Sequence, residues 1–258
     1  MALVTGVSRR VGIGYAVARR LGEQGADLMV QSWAPHDAEQ SWGADPVGPE
    51  GVVAALRDAV PDRRVEHAAL DFADPAAPDA CIAAAIAAFG RVDVLVANHA
   101  RSSDQALGAL TAAELDLALA VNVRATLLLV QAYAAQAGDG GRVIMMTSGQ
   151  YRGPMPGELP YIAGKGALHQ VTASLAAALA PRGITVNCVD PGPTDTGYAT
   201  PEVRAEAVRH IALGRWGEPD DAARLIAWLC TAEARWITGQ VIGSTGGEGL
   251  AIPSPPPT

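Results

Sequence analysis

ALVTGVSRRVGIGYAVARRLGEQGADLMVQ, residues 2–31, holds a short apolar strand, a loop with three glycines, an amphipathic helix and a second apolar run. A strand that leads through a helix into a second strand is a βαβ unit, and such a crossover sets the two strands parallel. Gly6, Gly12 and Gly14 let the backbone turn tightly and approach a diphosphate. The unpaired N–H groups at the helix start then attract its negative charge, with Ser8 and Ile13 in the same turn. A plain tight turn is the simpler reading of a glycine loop. Its position after a strand and before a helix argues for the binding one.

Outward from this unit the alternation continues. Residues 65–70, 92–98, 142–146 and 185–189 read as buried strands, and ITGQVIGSTGG (237–247) contains the last one. Helices are expected over 52–59, 78–89, 112–137, the stretch around Tyr161, 202–211 and 220–230. Seven strands separated by helices predict an α/β fold, a Rossmann-type doubly wound parallel sheet with helices on both faces. At 258 residues and 49% apolar content the chain suits one domain, over residues 1–250. Residues 33–51, rich in Pro, Gly and acidic side chains, read as an inserted loop; 195–212 reads as a substrate lid, and 251–258 as an extended Pro-rich tail. In such sheets ligands lie beyond the carboxyl ends of the strands, which is where Gly12, Asp71, Asn98, Ser148 and Pro191-Gly192 fall.

Composition excludes several classes of partner. A formal charge of −8 and a pI near 5.1 give no basic field for nucleic acid or anionic lipid. Cys81, Cys188 and Cys230 are dispersed and form no CxxC or Cys/His cluster, so neither a disulfide framework nor a metal site is expected, and a reducing cytoplasm is. No apolar run long enough to span a bilayer and no secretory leader is read from the sequence.

The chemistry concentrates between Ser148 and Lys165. Tyr161 and Lys165 are four residues apart, on one face of a helix, so the ammonium is expected to lower the phenol pKa toward a useful acid/base range. Ser148 ends the strand RVIMM, thirteen residues before Tyr161, and the Pro/Gly-rich loop between them can return its hydroxyl to the phenol. Asn122 places an amide in the middle of an apolar helix. Asp71, at a strand end, either accepts from an adenine amino group or caps the next turn. His36 is read as a loop histidine, and His169, about 12 Å along the helix from Tyr161, as core or interface. The second strand ends Gln31-Ser32-Trp33 without the carboxylate that holds a ribose 2′-hydroxyl, while Arg9 and Arg10 offer charge for a 2′-phosphate, favouring NADP(H) over NAD(H).

Taken together and in order, the Thr5-Gly6 to Gly14 loop, Asp71, Asn98, Asn122, Ser148, Tyr161 with Lys165, and Pro191-Gly192 with Thr196 resemble the short-chain dehydrogenase/reductase family over nearly the whole chain. That resemblance implies Tyr161 as general acid/base on a carbonyl oxygen, Lys165 tuning it and holding the nicotinamide ribose, Ser148 orienting the carbonyl, and Asn122 anchoring a proton-relay water. Gly6, Ser8, Arg9, Arg10, Gly12, Ile13, Gly14, Ser32, Asp71, Phe72, Asn98, His99, Pro191, Gly192, Thr194 and Thr196 would surround the cofactor, and Gln150, Met155 and Tyr198 the substrate. The substrate class implied is a small or carrier-tethered carbonyl compound, with 3-oxoacyl thioesters the commonest case, and the assembly a homodimer or homotetramer. Two departures stand out. The glycine loop has five residues between Gly6 and Gly12 where the family usually has three, and the fourth-strand motif reads Ala97-Asn98-His99-Ala100. The longer loop is also similar to the enoyl-acyl-carrier-protein reductases of the same superfamily, so reduction of a carbon–carbon double bond is one alternative, and a non-catalytic dinucleotide-binding sensor or subunit another.

Overall fold

The apolar triplet Ala2–Val4 forms β1, near the middle of a seven-stranded sheet in the computed structural model, which describes residues 1–250. The tail expected over 251–258 lies outside the described residues. The other strands are β2 (Leu28–Ser32), β3 (Val65–Ala69), β4 (Val94–Ala97), β5 (Arg142–Met146), β6 (Thr185–Asp190) and β7 (Val241–Gly243). Every neighbouring pair is parallel, in the order β3-β2-β1-β4-β5-β6-β7.

Alternation along β1 divides the core. Ala2 and Val4 point into one layer and Leu3 into the other, because successive strand residues face opposite sides. The first layer is covered by α1 (Ile13–Glu23), α3 (Gly48–Ala59) and α9 (Pro219–Leu229), which contribute Val17, Leu21, Val52, Leu56 and Ile226. The second is covered by α4 (Ala77–Phe89), α6 (Ala125–Gln136) and α7 (Leu159–Leu179), which contribute Cys81, Ile82, Leu129, Tyr133 and Leu168. Burial on both faces explains why β1 and β4 are apolar at every position rather than alternating.

Three expectations need correction. Residues 33–51 are not a plain loop: α2 (Ala34–Glu39) occupies its first part, and α3 starts at Gly48 rather than Val52. Each helix has proline in its first turn, with Asp37 in that of α2 and Glu50 in that of α3, and these groups suit a helix start. The helix expected over 112–137 is α5 (Ala112–Leu119), a π-helical turn at Ala120–Arg124, and then α6. An 18-residue window of this continuous 25-residue unit has a mean hydropathy of 1.5, which makes the unit long and apolar enough by composition to cross a bilayer, contrary to the sequence reading. It is a core helix here, since Ala125, Leu129, Val130 and Tyr133 are buried against the sheet. In the lid, α8 (Pro201–Val208) begins behind Thr200, whose hydroxyl accepts from Val203 N at 3.3 Å.

Candidate active site

A cleft of about 800 Å³ opens beyond the carboxyl ends of β1, β4, β5 and β6. Gly6, Ser8, Arg9, Gly12, Ile13 and Gly14 line it at the start of α1. The glycine requirement is steric: a Cβ on Gly14 would lie 2.5 Å from Gly6 O, and Gly6 itself has φ +71°. Gly12 ends the loop without a side-chain cap, so the first amides of α1 have no side-chain acceptor. Asn98 knits this loop to β4, its Nδ2 donating to Thr5 O at 3.0 Å and Gly6 O at 3.2 Å.

His99, also on the cleft wall, is a packing residue. Its Nε2 lies 3.1 Å from Val121 O and its Nδ1 2.7 Å from Thr5 Oγ1. These partners fit a neutral ring that donates from Nε2 and accepts at Nδ1. Burial, followed by the Lys165 charge, pushes its pKa down to about 3, and its ring packs 4.4 Å from that of Phe72. Asp71 caps the following turn, accepting from Ala73 N at 2.8 Å, and also faces the cleft.

The two arginines of the lengthened loop separate. Arg10 turns away from the cleft and makes a bidentate pair with Asp45, Nε donating to Oδ2 at 3.1 Å and Nη2 to Oδ1 at 2.9 Å. Arg9 is buried in the cleft wall and donates to Thr196 O. Only Arg9 of the pair is placed to meet a ligand there. Ser32 is likewise turned away, its hydroxyl 2.9 Å from His67 Nε2. Its neighbour Gln31 holds the glycine loop by accepting from Gly6 N at 3.0 Å. Gln150, expected on the substrate wall, lies in a single turn of 3-10 helix and donates to Thr147 Oγ1 at 3.0 Å, away from the cleft, whereas Met155 and Tyr198 line it.

Ser148 and Tyr161 both line the cleft, where the serine hydroxyl acts to lower the phenol pKa. Burial outweighs it and raises the phenol to about 12. Lys165 lies one turn further along α7, its Nζ 5.6 Å from the Tyr161 ring centroid and donating to Met146 O at 3.0 Å. Burial lowers its pKa to about 8. The expectation that Lys165 pulls the phenol toward neutrality is therefore corrected: the ammonium faces the end of β5, and desolvation governs both groups.

Asn122 sits in the π turn with both ends of its amide bonded to the Arg101 backbone. Oδ1 accepts from Arg101 N at 2.7 Å and Nδ2 donates to Arg101 O at 3.1 Å. A Cβ on Gly164 would come within 2.9 Å of Asn122 Cβ, so this glycine allows α7 to pack on the turn, whereas Gly166 faces open space. At the far wall, Gly192 has φ +63° and its N–H donates to Asp190 Oδ1 at 2.9 Å. Pro191, Gly192, Thr194 and Thr196 all line the cleft. His169, expected in core or interface, is half-buried with its ring 4.8 Å from that of Tyr151.

A family model described as enoyl-(acyl carrier protein) reductase matches residues 6–248. The chain is 40% identical over 251 residues to an uncharacterized oxidoreductase of Bacillus subtilis, covering 96% of each. It superposes with a TM-score of 0.85 and 36% identity on a short-chain dehydrogenase of Burkholderia cenocepacia in complex with NADP, covering 95% of this chain and 96% of that one. The chain belongs to the short-chain dehydrogenase/reductase family. As a member of that family it is an NAD(P)-dependent oxidoreductase. A third match, at TM-score 0.85 and 35% identity over 96% of this chain and 97% of the other, is a promiscuous reductase that catalyses keto-reduction at C1 during lugdunomycin biosynthesis.

Within this short-chain dehydrogenase/reductase, His36 is not the loop histidine expected: it lies on α2 and lines the cleft. Trp33, Asp37, Glu39 and Trp42 also enter from the segment after β2, Asp104 from the loop after β4 and Glu158 from the start of α7, and none of these was assigned to the site from sequence. Trp42 had a legible signal as a large aromatic in a polar segment; Glu158 had one as the residue three before the tyrosine.

Proposed function

We propose that the protein reduces a carbonyl to a secondary alcohol with NADP(H), Tyr161 acting as general acid. The observation that carries this reading is that Ser148 and Tyr161 line the same cleft, with Lys165 one turn along α7 and its Nζ 5.6 Å from the Tyr161 ring centroid. A dinucleotide suits the glycine cradle, where Gly14 lets the start of α1 pack closely against Gly6 and Asn98, and the uncapped helix start offers amides to a diphosphate. NADP(H) is preferred because β2 ends without a carboxylate at Gln31-Ser32-Trp33, Arg9 lies in the cleft wall, and the Burkholderia relative was solved with NADP.

Bound there, the reduced nicotinamide supplies hydride to the carbonyl carbon. Ser148 donates to the carbonyl oxygen and steadies its developing charge. Tyr161, a phenol held protonated near neutrality by burial, gives the same oxygen its proton. Lys165, with a pKa lowered to about 8, is poised to restore that proton and to hold the nicotinamide ribose. Asn122 fixes the backbone of Arg101 beside the cleft and, by family resemblance, anchors the relay water. Pro191, Gly192, Thr194 and Thr196 would meet the carboxamide, and Met155 and Tyr198 the substrate. A homodimer or homotetramer is the assembly implied by the resemblance.

The description of the matching family favours the other reaction, reduction of an enoyl double bond, as does the five-residue spacing from Gly6 to Gly12. The four-residue Tyr161–Lys165 spacing and the keto-reduction of the third relative favour the carbonyl. Oxidation of NADPH and of NADH is to be followed with acetophenone, acetoacetyl-CoA and crotonyl-CoA. Turnover of a ketone or 3-oxoacyl thioester with NADPH is expected. Turnover of crotonyl-CoA alone selects the enoyl reaction, and tight dinucleotide binding with no turnover across a broad panel favours the non-catalytic sensor.

A further inference from the structure

The two lengthened segments, the glycine loop and the stretch after β2, meet each other and then meet the substrate lid. The stretch after β2 starts at one side of the cleft, where His36 Nε2 accepts from Ser102 N at 3.3 Å. It ends at the other, where Asp45 is clamped by Arg10. Between these ties Trp42 is oriented by its Nε1, which donates to Asp37 Oδ1 at 3.3 Å. Its ring stands edge-on to Tyr198, with centroids 6.4 Å apart and planes at 75°. Tyr198 in turn stands edge-on to the buried Trp216, at 5.9 Å and 88°. Arg9 closes the arrangement, with its guanidinium 5.7 Å from the Trp42 centroid and a hydrogen bond to Thr196 O.

This chain of contacts joins residues far apart in sequence. Tyr198 and Thr196 belong to the lid expected to cover the substrate, and Tyr198 is 45% exposed, so Trp42 is one of the two aromatic supports that fix where its ring stands. Trp42 itself faces the cleft. A segment that leaves the sheet at the end of β2, on the side where a dinucleotide's adenosine would lie, thus reaches across to the substrate side.

We propose that Trp42 is a positioning residue for the substrate: it holds Tyr198, and with Arg9 the lid backbone at Thr196, over the cleft that contains Ser148 and Tyr161. It touches no reacting atom and acts through Tyr198. The proposal rests on the oxidoreductase reading for its kinetic consequence, but the lid contact itself is independent of which bond is reduced.

The test uses the full-length wild type, Trp42→Ala and Trp42→Phe. Amide hydrogen exchange is read over residues 196–212, with β5 as internal reference, and NADPH affinity is titrated by its fluorescence. In Trp42→Ala, exchange in the lid is expected to rise about fivefold, the loss anticipated for one edge-to-face aromatic pair, with β5 unchanged. NADPH affinity should stay within about twofold. Trp42→Phe, which keeps an aromatic edge, should restore most of the protection. With whichever of acetophenone, acetoacetyl-CoA or crotonyl-CoA turns over, KM for that compound should rise about tenfold while kcat changes less than about threefold. Unchanged lid exchange in Trp42→Ala overturns the proposal. So does a tenfold loss of NADPH affinity with an intact lid, which would assign Trp42 to the dinucleotide instead. If none of the three compounds turns over, the panel is broadened to test the catalytic readings, and the exchange result still decides the role of Trp42.

Discussion

Burial acts in opposite directions on the two ionisable groups at the centre of the cleft, raising Tyr161 to about 12 and lowering Lys165 to about 8. Desolvation disfavours the charged form of each, so near neutrality both carry protons, as a proton-donating site requires. Reduction should then weaken as pH rises through about 8, where Lys165 loses its charge. The check is kcat/KM for the reductive reaction between pH 6 and 10, and a flat profile would count against the relay. Glu158 raises the Tyr161 pKa through its charge. Glu158→Gln should therefore move the acid limb of the reverse, alcohol-oxidising profile to lower pH, while loss of activity without a shift would mean that Glu158 shapes the cleft rather than tuning Tyr161. Ser148, Tyr161 and Lys165 were legible in the sequence because strand end, loop and helix spacing are local signals. The direction of the Lys165 effect was not, because it depends on where Nζ points, and the chain bonds it to Met146 O.

Elements show the same division between local and distant information. The glycines flanking Lys165 look alike in sequence but differ in surroundings: a Cβ on Gly164 collides with Asn122, and one on Gly166 meets nothing within 4 Å. Gly164→Ala should cost about 1–3 kcal/mol by overpacking the π turn, and should lower kcat as the Asn122 amide shifts off Arg101. Gly166→Ala should instead stabilise α7 by up to about 1 kcal/mol, since alanine is the better helix former. Thermal melts of the two variants test the opposite signs. The π turn itself left no trace in the hydrophobic pattern, which ran on through a continuous helix. The helix starts at Pro35 and Gly48-Pro49-Glu50 were legible as first-turn proline and acid, and were passed over because the composition of the segment resembled a loop.

At the scale of the molecule, the sheet was readable because strands buried on both faces keep apolar runs unbroken, as β1 and β4 do. What escaped are contacts that the sheet brings together from its two halves, such as Arg9 with Thr196 and Trp42 with Tyr198. Helices α1 and α9 are joined by one such contact, in which Asp220 accepts from Arg20, with Arg224 also paired to it. Arg20 first, and then Arg224, hold its carboxyl down at about 2. A depressed carboxylate stabilises the fold above its ordinary value of 3.8, and that contribution fades as pH falls through about 2. Asp220→Asn should accordingly melt below wild type above about pH 4, with the gap closing toward pH 2.

The central claim is that Tyr161 gives its proton to a carbonyl oxygen beside the dinucleotide. The most direct measurement is NADPH oxidation by Tyr161→Phe with the carbonyl compound that the wild type reduces, together with NADPH affinity. The account predicts a fall in kcat of about 10²–10⁴-fold with NADPH binding retained, because the ring stays and only the acid is lost. A variant that still reduces the carbonyl within about threefold of wild type would contradict it.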